Sequence, residues 1–171
     1  MASIKNPSSD LYERDYYAWL QDQVQALRER RVEDVDWENV AEEIEDLGES
    51  QRQSVESQMV RLLEHLLKLQ YAGGAIRKNN ARGWQLSVKD TRLVVRKLLD
   101  ENPSLRRQLV GMLPYAYQRG RLAALRKARL PDHAIPESCP WAVEQVMDDD
   151  FLPGSAAMTR DYSVIIRKGK S

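Results

Sequence analysis

The sequence predicts an all-α protein, a helical bundle of about four main helices plus a short C-terminal helix. Three observations predict it. Apolar residues recur every three or four positions along most of the chain, the spacing of a helix face. One periodic stretch runs for more than thirty residues, far beyond the length of any strand. The composition, 30% charged with only eight Gly and one Phe, is poor in what sandwiches and barrels use. At 171 residues a single domain over 10–153 is expected, between a flexible arm at 1–9 and an unassigned tail at 154–171. A chain of this size buries roughly 70% of its unfolded surface, so it needs neither disulfide nor structural metal. Cys139 stands alone and suits a reducing compartment.

The first helix is predicted over 10–30. Ser9 precedes it, and Tyr12, Tyr16, Trp19 or Leu20, Val24 and Leu27 form its apolar row. Asp10, Glu13 and Asp15 occupy its first turns and Arg28 to Arg31 its last, as the helix dipole favours. Asp36 is a natural N-cap for a second helix over 37–71. There Trp37, Val40, Ala41, Ile44, Leu47, Gln51, Val55, Met59, Leu62, Leu66 and Leu69 keep one phase across Gly48. One continuous helix on the order of 50 Å long follows. Leu63 and Leu67 widen the apolar arc of its C-terminal half, which marks it as the central helix of the bundle.

A polar, glycine-bearing connector is predicted from Tyr71 to Gly83, then a third helix over 84–100 on Trp84, Val88, Thr91, Val95, Leu98 and Leu99. Asn102-Pro103 ends it and opens a fourth, which reaches about Arg129 through Leu105, Leu109, Met112, Tyr115 or Ala116, and Ala123. Pro114 predicts a kink near Gly111, with a break as the alternative. Pro131, Pro136 and Pro140 preclude a long helix, and a short one is predicted from Pro140 to the Asp148 run. The third helix can cover only the C-terminal half of the second, so the first must cover the N-terminal half.

Zero net charge conceals segregation. Residues 1–70 hold 8 Lys+Arg against 16 Asp+Glu, residues 71–130 hold 14 against 3, and residues 131–171 hold 4 against 7. Glu38, Glu42, Glu45 and Glu49 form a row on the second helix, and Arg82, Lys89, Arg92 and Arg96 one on the third. Two readings are open: neutralisation within the chain, or a reciprocal contact in a two-fold dimer. Arg-rich composition raises nucleic-acid binding, but no helix-turn-helix pattern or aromatic interleaving supports it. No stretch approaches about 18 consecutive apolar residues, and Met1 to Asp10 lacks the apolar run of a secretion signal; a cytoplasmic protein without a membrane span is expected.

Chemistry-bearing patterns are sparse. Leu62 and Leu130 stand three residues before His65 and His133, where a di-iron bundle places Glu, so no metal or other cofactor is expected. Gly73-Gly74 lacks the spacing of a phosphate loop. Cys139 reads as a small thiol in a loop, and His65 as a histidine hydrogen-bonded at a helix interface.

Six motifs in order resemble the bacterial family known as domain of unknown function 29. They are Asp15-Tyr-Tyr-Ala-Trp19, Asp36 to Gly48, Leu62 to Tyr71, Asn102-Pro-Ser-Leu105, Ile135 to Pro140 and Asp150-Phe-Leu-Pro153. The resemblance implies an all-helical, cytoplasmic protein of unassigned activity. Its polar family-typical positions are Asp36, Asn39, Glu42, Glu43, Glu45, His65 and Lys68. By angular count Glu43, His65 and Lys68 share one flank of the second helix, with Asp36 near it. The expected function is a protein interaction or assembly module, a homo-oligomer such as a dimer. The alternatives are a regulatory partner such as a toxin-neutralising or nucleic-acid-associated protein, and an enzyme with a site near Glu43, His65 and Lys68.

Overall fold

Six helices follow one another in a computed structural model that describes residues 7–154: α1 (Pro7–Arg14), α2 (Tyr16–Glu29), α3 (Trp37–Tyr71), α4 (Gly74–Glu101), α5 (Leu109–Ala128) and α6 (Val143–Met147). Short 3-10 turns at Val32–Asp34, Pro103–Gln108 and Asp132–Ala134 connect them, and no strand occurs among the described residues. The protein is all-α. The described residues form two compact units, which divide inside α3 after Ser50.

In the first unit the predicted first helix is two. Asp15 leaves helical geometry (φ −149°, ψ 83°), and its carboxylate accepts the Ala18 amide hydrogen at 3.0 Å, capping α2. An Asp that satisfies an orphan amide competes with its own helical backbone, so an acid predicted mid-helix starts a new one. α2 ends at Arg30 in the left-handed region (φ 58°). There the Arg30 and Arg31 amides donate back to Leu27 and Ala26 as a Schellman cap requires. α2 buries Trp19, Gln23 and Ala26, whereas Val24 and Leu27, predicted as core, are exposed.

α3 is continuous across Gly48, as predicted. Its two halves differ. The C-terminal half buries Val55, Met59, Leu62, Leu63, Leu66, Leu67 and Leu69. In the N-terminal half Trp37, Ile44 and Leu47 are 58%, 65% and 64% exposed, contrary to the predicted seam. The reason is angular. The first helices bond to Asp36 and Glu43, and Ile44 lies about 100° from Glu43 around the helix.

The second unit is built around that C-terminal half of α3. Val88, Val95 and Leu99 of α4, Met112, Ala116, Tyr117, Ala124 and Leu125 of α5, Ile135, and Val146 of α6 complete its core. α5 approaches α3 closely. A Cβ on Gly120 would lie 2.9 Å from the Val60 carbonyl oxygen and 3.1 Å from the Glu64 amide nitrogen. Ala116, Ala124 and Ala128, four residues apart and all buried, continue that small-residue row.

α4 begins ten residues before the predicted Trp84. Gly74, at φ 54°, reverses the chain directly after α3, so the expected connector is helix. Its Lys78, Asn79, Asn80 and Arg82 are exposed, which erased the apolar period there. α5 runs unbroken through Pro114, and α6 is confined to Val143–Met147, with the Ala142 amide donating to Gln145 Oε1 at 3.1 Å.

The irregular segment after α5 is held by side chains of α4 and α5. Arg92, fully buried, donates from Nε to the Val146 carbonyl at 2.9 Å and from Nη2 to the Phe151 carbonyl at 2.8 Å, with Nη1 at 3.4 Å from the Asp149 carbonyl. Arg96 donates to the Met147 carbonyl at 3.0 Å and to Asp149 Oδ1 at 2.6 Å. Arg121 donates to the Ile135 carbonyl at 2.9 Å and to that of Asp132, and the Tyr117 hydroxyl to the Pro136 carbonyl at 2.7 Å. A guanidinium offers five donors in a rigid fork, which suits carbonyls that no strand or helix pairs.

Two substitutions test these contacts. Gly120→Ala, despite a better helix propensity, is expected to lower stability by about 1–3 kcal/mol in urea unfolding, because backbone and not a flexible side chain stands in the way. Arg92→Met is expected to cost about 2–4 kcal/mol and to accelerate amide hydrogen exchange over 146–151 more than elsewhere; uniform acceleration would contradict the clamp.

Candidate functional site

The sequence-predicted residues occupy two clusters, one in each unit. In the first unit Glu43 accepts the hydroxyls of Tyr12 (2.7 Å) and Tyr16 (2.5 Å). These bonds hold the Glu43 carboxyl below its ordinary range, the Tyr16 bond most strongly. The Tyr12 phenol is pushed up to about 12 by its bond to Glu43, and Tyr16 is raised for the same reason. Tyr12, Tyr16 and Trp19 are neighbours on successive turns: the Tyr12 and Trp19 ring centres lie 4.7 Å apart edge to face, and those of Tyr16 and Trp19 lie 6.0 Å apart, stacked.

Asp36 and Asn39 extend this ladder. The Asp36 amide donates to Gln23 Oε1 at 2.7 Å, and Asn39 Nδ2 donates to Asp36 Oδ2 at 2.8 Å. Glu38, Glu42 and Glu45 are exposed along α3, and Glu49 is half-buried. The ladder joins helices: it fixes α1 and α2 onto the acidic side of α3.

In the second unit Lys68 is only 4% exposed. It donates to Glu64 Oε1 at 2.6 Å, and Lys127 from α5 reaches both Glu64 oxygens at 3.0 and 2.9 Å. Burial opposes ionisation of Glu64, yet the bonds from Lys68 and Lys127 outweigh it and hold its carboxyl below the ordinary range. Lys68 Nζ also lies 5.2 Å from the centre of the Trp84 ring, a cation–π contact.

His65 is half-buried, and its Nδ1 is interior with no hydrogen-bond partner among the described residues. The expected interface hydrogen bond is absent at that atom. Burial first, then the nearby charge of Lys68, push the imidazole down to about 4; Glu64 acts against this, while Arg61 and Lys127 add to it. His65 is therefore neutral near pH 7.

The structure does not join Glu43 to His65 and Lys68 in one hydrogen-bonded group. Glu43 is engaged by two tyrosines of the first unit and Lys68 by Glu64 of the second. A cleft of about 890 Å³ and two of about 430 and 270 Å³ in the second unit are lined by other residues. Among the described residues no three His, Cys, Asp or Glu side chains are grouped as metal ligands would be.

The basic row needs correction as well. Arg82 and Lys89 are exposed, but Arg92 is fully buried and Arg96 is half-buried against Asp149. An angular count places residues on a face; it cannot see that residues 146–151 cover half of that face.

Glu64, Lys127 and Trp84 were not among the sequence-derived candidates. A signal for Glu64 existed. A lone acid among Leu62, Leu63, Leu66 and Leu67, four residues before a lysine, marks a charge that must be buried and paired. Lys127 carried none, because its contact depends on how close α5 comes.

The profile of the family described as Domain of unknown function DUF29 matches residues 11–152. The chain belongs to this family. The DUF29 match takes in Tyr12, Glu43, Glu64, His65, Lys68 and Arg92, and hence both clusters and the arginine clamp. No curated protein and no solved structure matches the chain.

His65 sets a pH dependence. Its folded value of about 4 lies below its ordinary 6.5, so between these pH values the unfolded chain binds a proton that the folded one refuses. Stability is fully present above pH 6.5 and falls on acidification to about pH 4, by about 1–2 kcal/mol once solvent screening of the half-buried ring is allowed for. Urea midpoints measured from pH 7 to 5.5, where carboxylates of ordinary or lowered value stay ionised, are expected to fall for the wild type and to stay nearly level for His65→Gln.

Proposed function

We propose that this protein is an assembly module whose first unit docks onto a second copy of the chain. The observation that carries this reading is the exposed apolar face of the N-terminal half of α3. Trp37, Ala41, Ile44 and Gly48 share one stripe, with Leu47 beside it, and Trp37, Ile44 and Leu47 are more than half exposed. Exposed apolar side chains that are contiguous and rimmed by charge mark interaction surfaces. The rim here is Glu38, Glu42 and Glu45, all exposed.

Charge argues for the occupant. Residues 1–50 carry 5 Lys+Arg against 14 Asp+Glu, and residues 51–171 carry 21 against 12. The chain thus holds both halves of a complementary pair. A matching face exists on α4, where Arg82, Leu86, Lys89, Leu93 and Lys97 fall on one side at helical spacing; Leu86 is 54% and Leu93 62% exposed. Leucines framed by cations fit an apolar stripe framed by carboxylates, and two such contacts related by a two-fold axis close a dimer.

Light scattering after size exclusion tests the reading. A dimer at micromolar concentration is expected in low salt, weakened by added salt and abolished in an Ile44→Asp, Leu47→Asp double variant that keeps its helical circular dichroism. A wild-type monomer in low salt overturns it. Among the described residues no helix is long and apolar enough to cross a membrane.

A further inference from the structure

We infer that the cleft between α3 and the start of α5 binds a small organic oxyanion: a phosphate monoester or carboxylate on an apolar body. The cleft holds about 890 Å³ and lies wholly in the second unit, so this inference stands apart from the assembly surface. Its volume falls in the range of roughly 300–1,000 Å³ that small-molecule sites occupy.

The lining states the chemistry. Arg52 comes from α3 and Arg107 from the 3-10 turn before α5, each a planar fork that matches carboxylate or phosphate oxygens. Glu56, also in the lining, holds Arg52 Nη1 at 3.1 Å. The lining itself carries two guanidinium groups against the one carboxylate of Glu56, and Arg107 is exposed. That balance accommodates one anionic group and disfavours a polyphosphate, whose further charges would face Glu56 unmatched. Met112 and Tyr115 supply the apolar wall.

Gly111 bounds the cleft as well. It sits inside α5 on the cleft wall, and a Cβ there would meet nothing within 4 Å. Helix-interior glycine costs about 1 kcal/mol relative to alanine. Nine residues on, Gly120 is required by its contact with Val60; no such contact accounts for Gly111. A larger side chain there would enter the cleft.

Calorimetric titration of the full chain with phenyl phosphate and with benzoate tests the site, with inorganic phosphate and phenol as the separated halves. Saturable binding is expected for at least one of the two probes, and the tighter arm identifies the anion. Arg107→Ala is expected to weaken it at least tenfold, as is Gly111→Leu, which fills the cleft. Thermal melts report whether each variant folds. Arg107 is exposed, so its variant decides the matter should the leucine disturb α5. No saturable heat at millimolar probe, or binding that Arg107→Ala leaves unchanged, overturns the inference.

Discussion

The contact on which the second unit depends is backbone against backbone, at Gly120 of α5 and residues 60–64 of α3. Interiors are close-packed, and the distance between two helices is set by the smallest side chains that separate them. A row of Ala116, Gly120, Ala124 and Ala128 lets α5 settle onto α3. That approach brings Lys127 within reach of Glu64, and so makes tolerable a carboxylate surrounded by leucines. The same closeness leaves the large core residues of α3, Leu62, Leu63, Leu66 and Leu67, fully buried.

Polar side chains in this protein chiefly attach segments that have too little apolar mass to attach themselves. In the first unit Gln23, Asp36, Asn39, Glu43, Tyr12 and Tyr16 do this between helices. In the second, Arg92, Arg96 and Arg121 do it between a helix face and a chain that runs from residue 132 to residue 151 with only one turn and one five-residue helix. Part of the positive charge counted in the sequence, that of Arg92, Arg96 and Arg121, thus faces inward onto carbonyl oxygens. Arg82, Lys89, Lys97, Arg106 and Arg107 are among the cations that stay exposed.

Periodicity and caps made the class, the continuity of α3 and the second unit's core legible in the sequence. The phase of Leu62, Leu66 and Leu69 needed no tertiary information. The break at Asp15 was not legible, because an acid in a first turn and an acid that caps a later helix look alike until the backbone is seen. The start of α4 was hidden because most of its first ten residues are exposed and carry no apolar period. Of the site, the motifs pointed to Glu43, His65 and Lys68 as one group by angle alone. Angle ignores the side chains that arrive from other elements, and those decide the outcome: two tyrosines take Glu43, Glu64 takes Lys68, and no described residue bonds the interior nitrogen of His65.

The arginine clamp also bears on how the chain is made. Arg92 is delivered by the ribosome more than fifty residues before Val146, Asp149 and Phe151, whose carbonyls it needs. Until that stretch emerges, a cation destined for the interior has none of those acceptors and keeps its hydration instead. Consolidation of the second unit therefore waits on residues 146–151, and a chain interrupted ahead of Phe151 presents an α4 whose Arg92 is still hydrated.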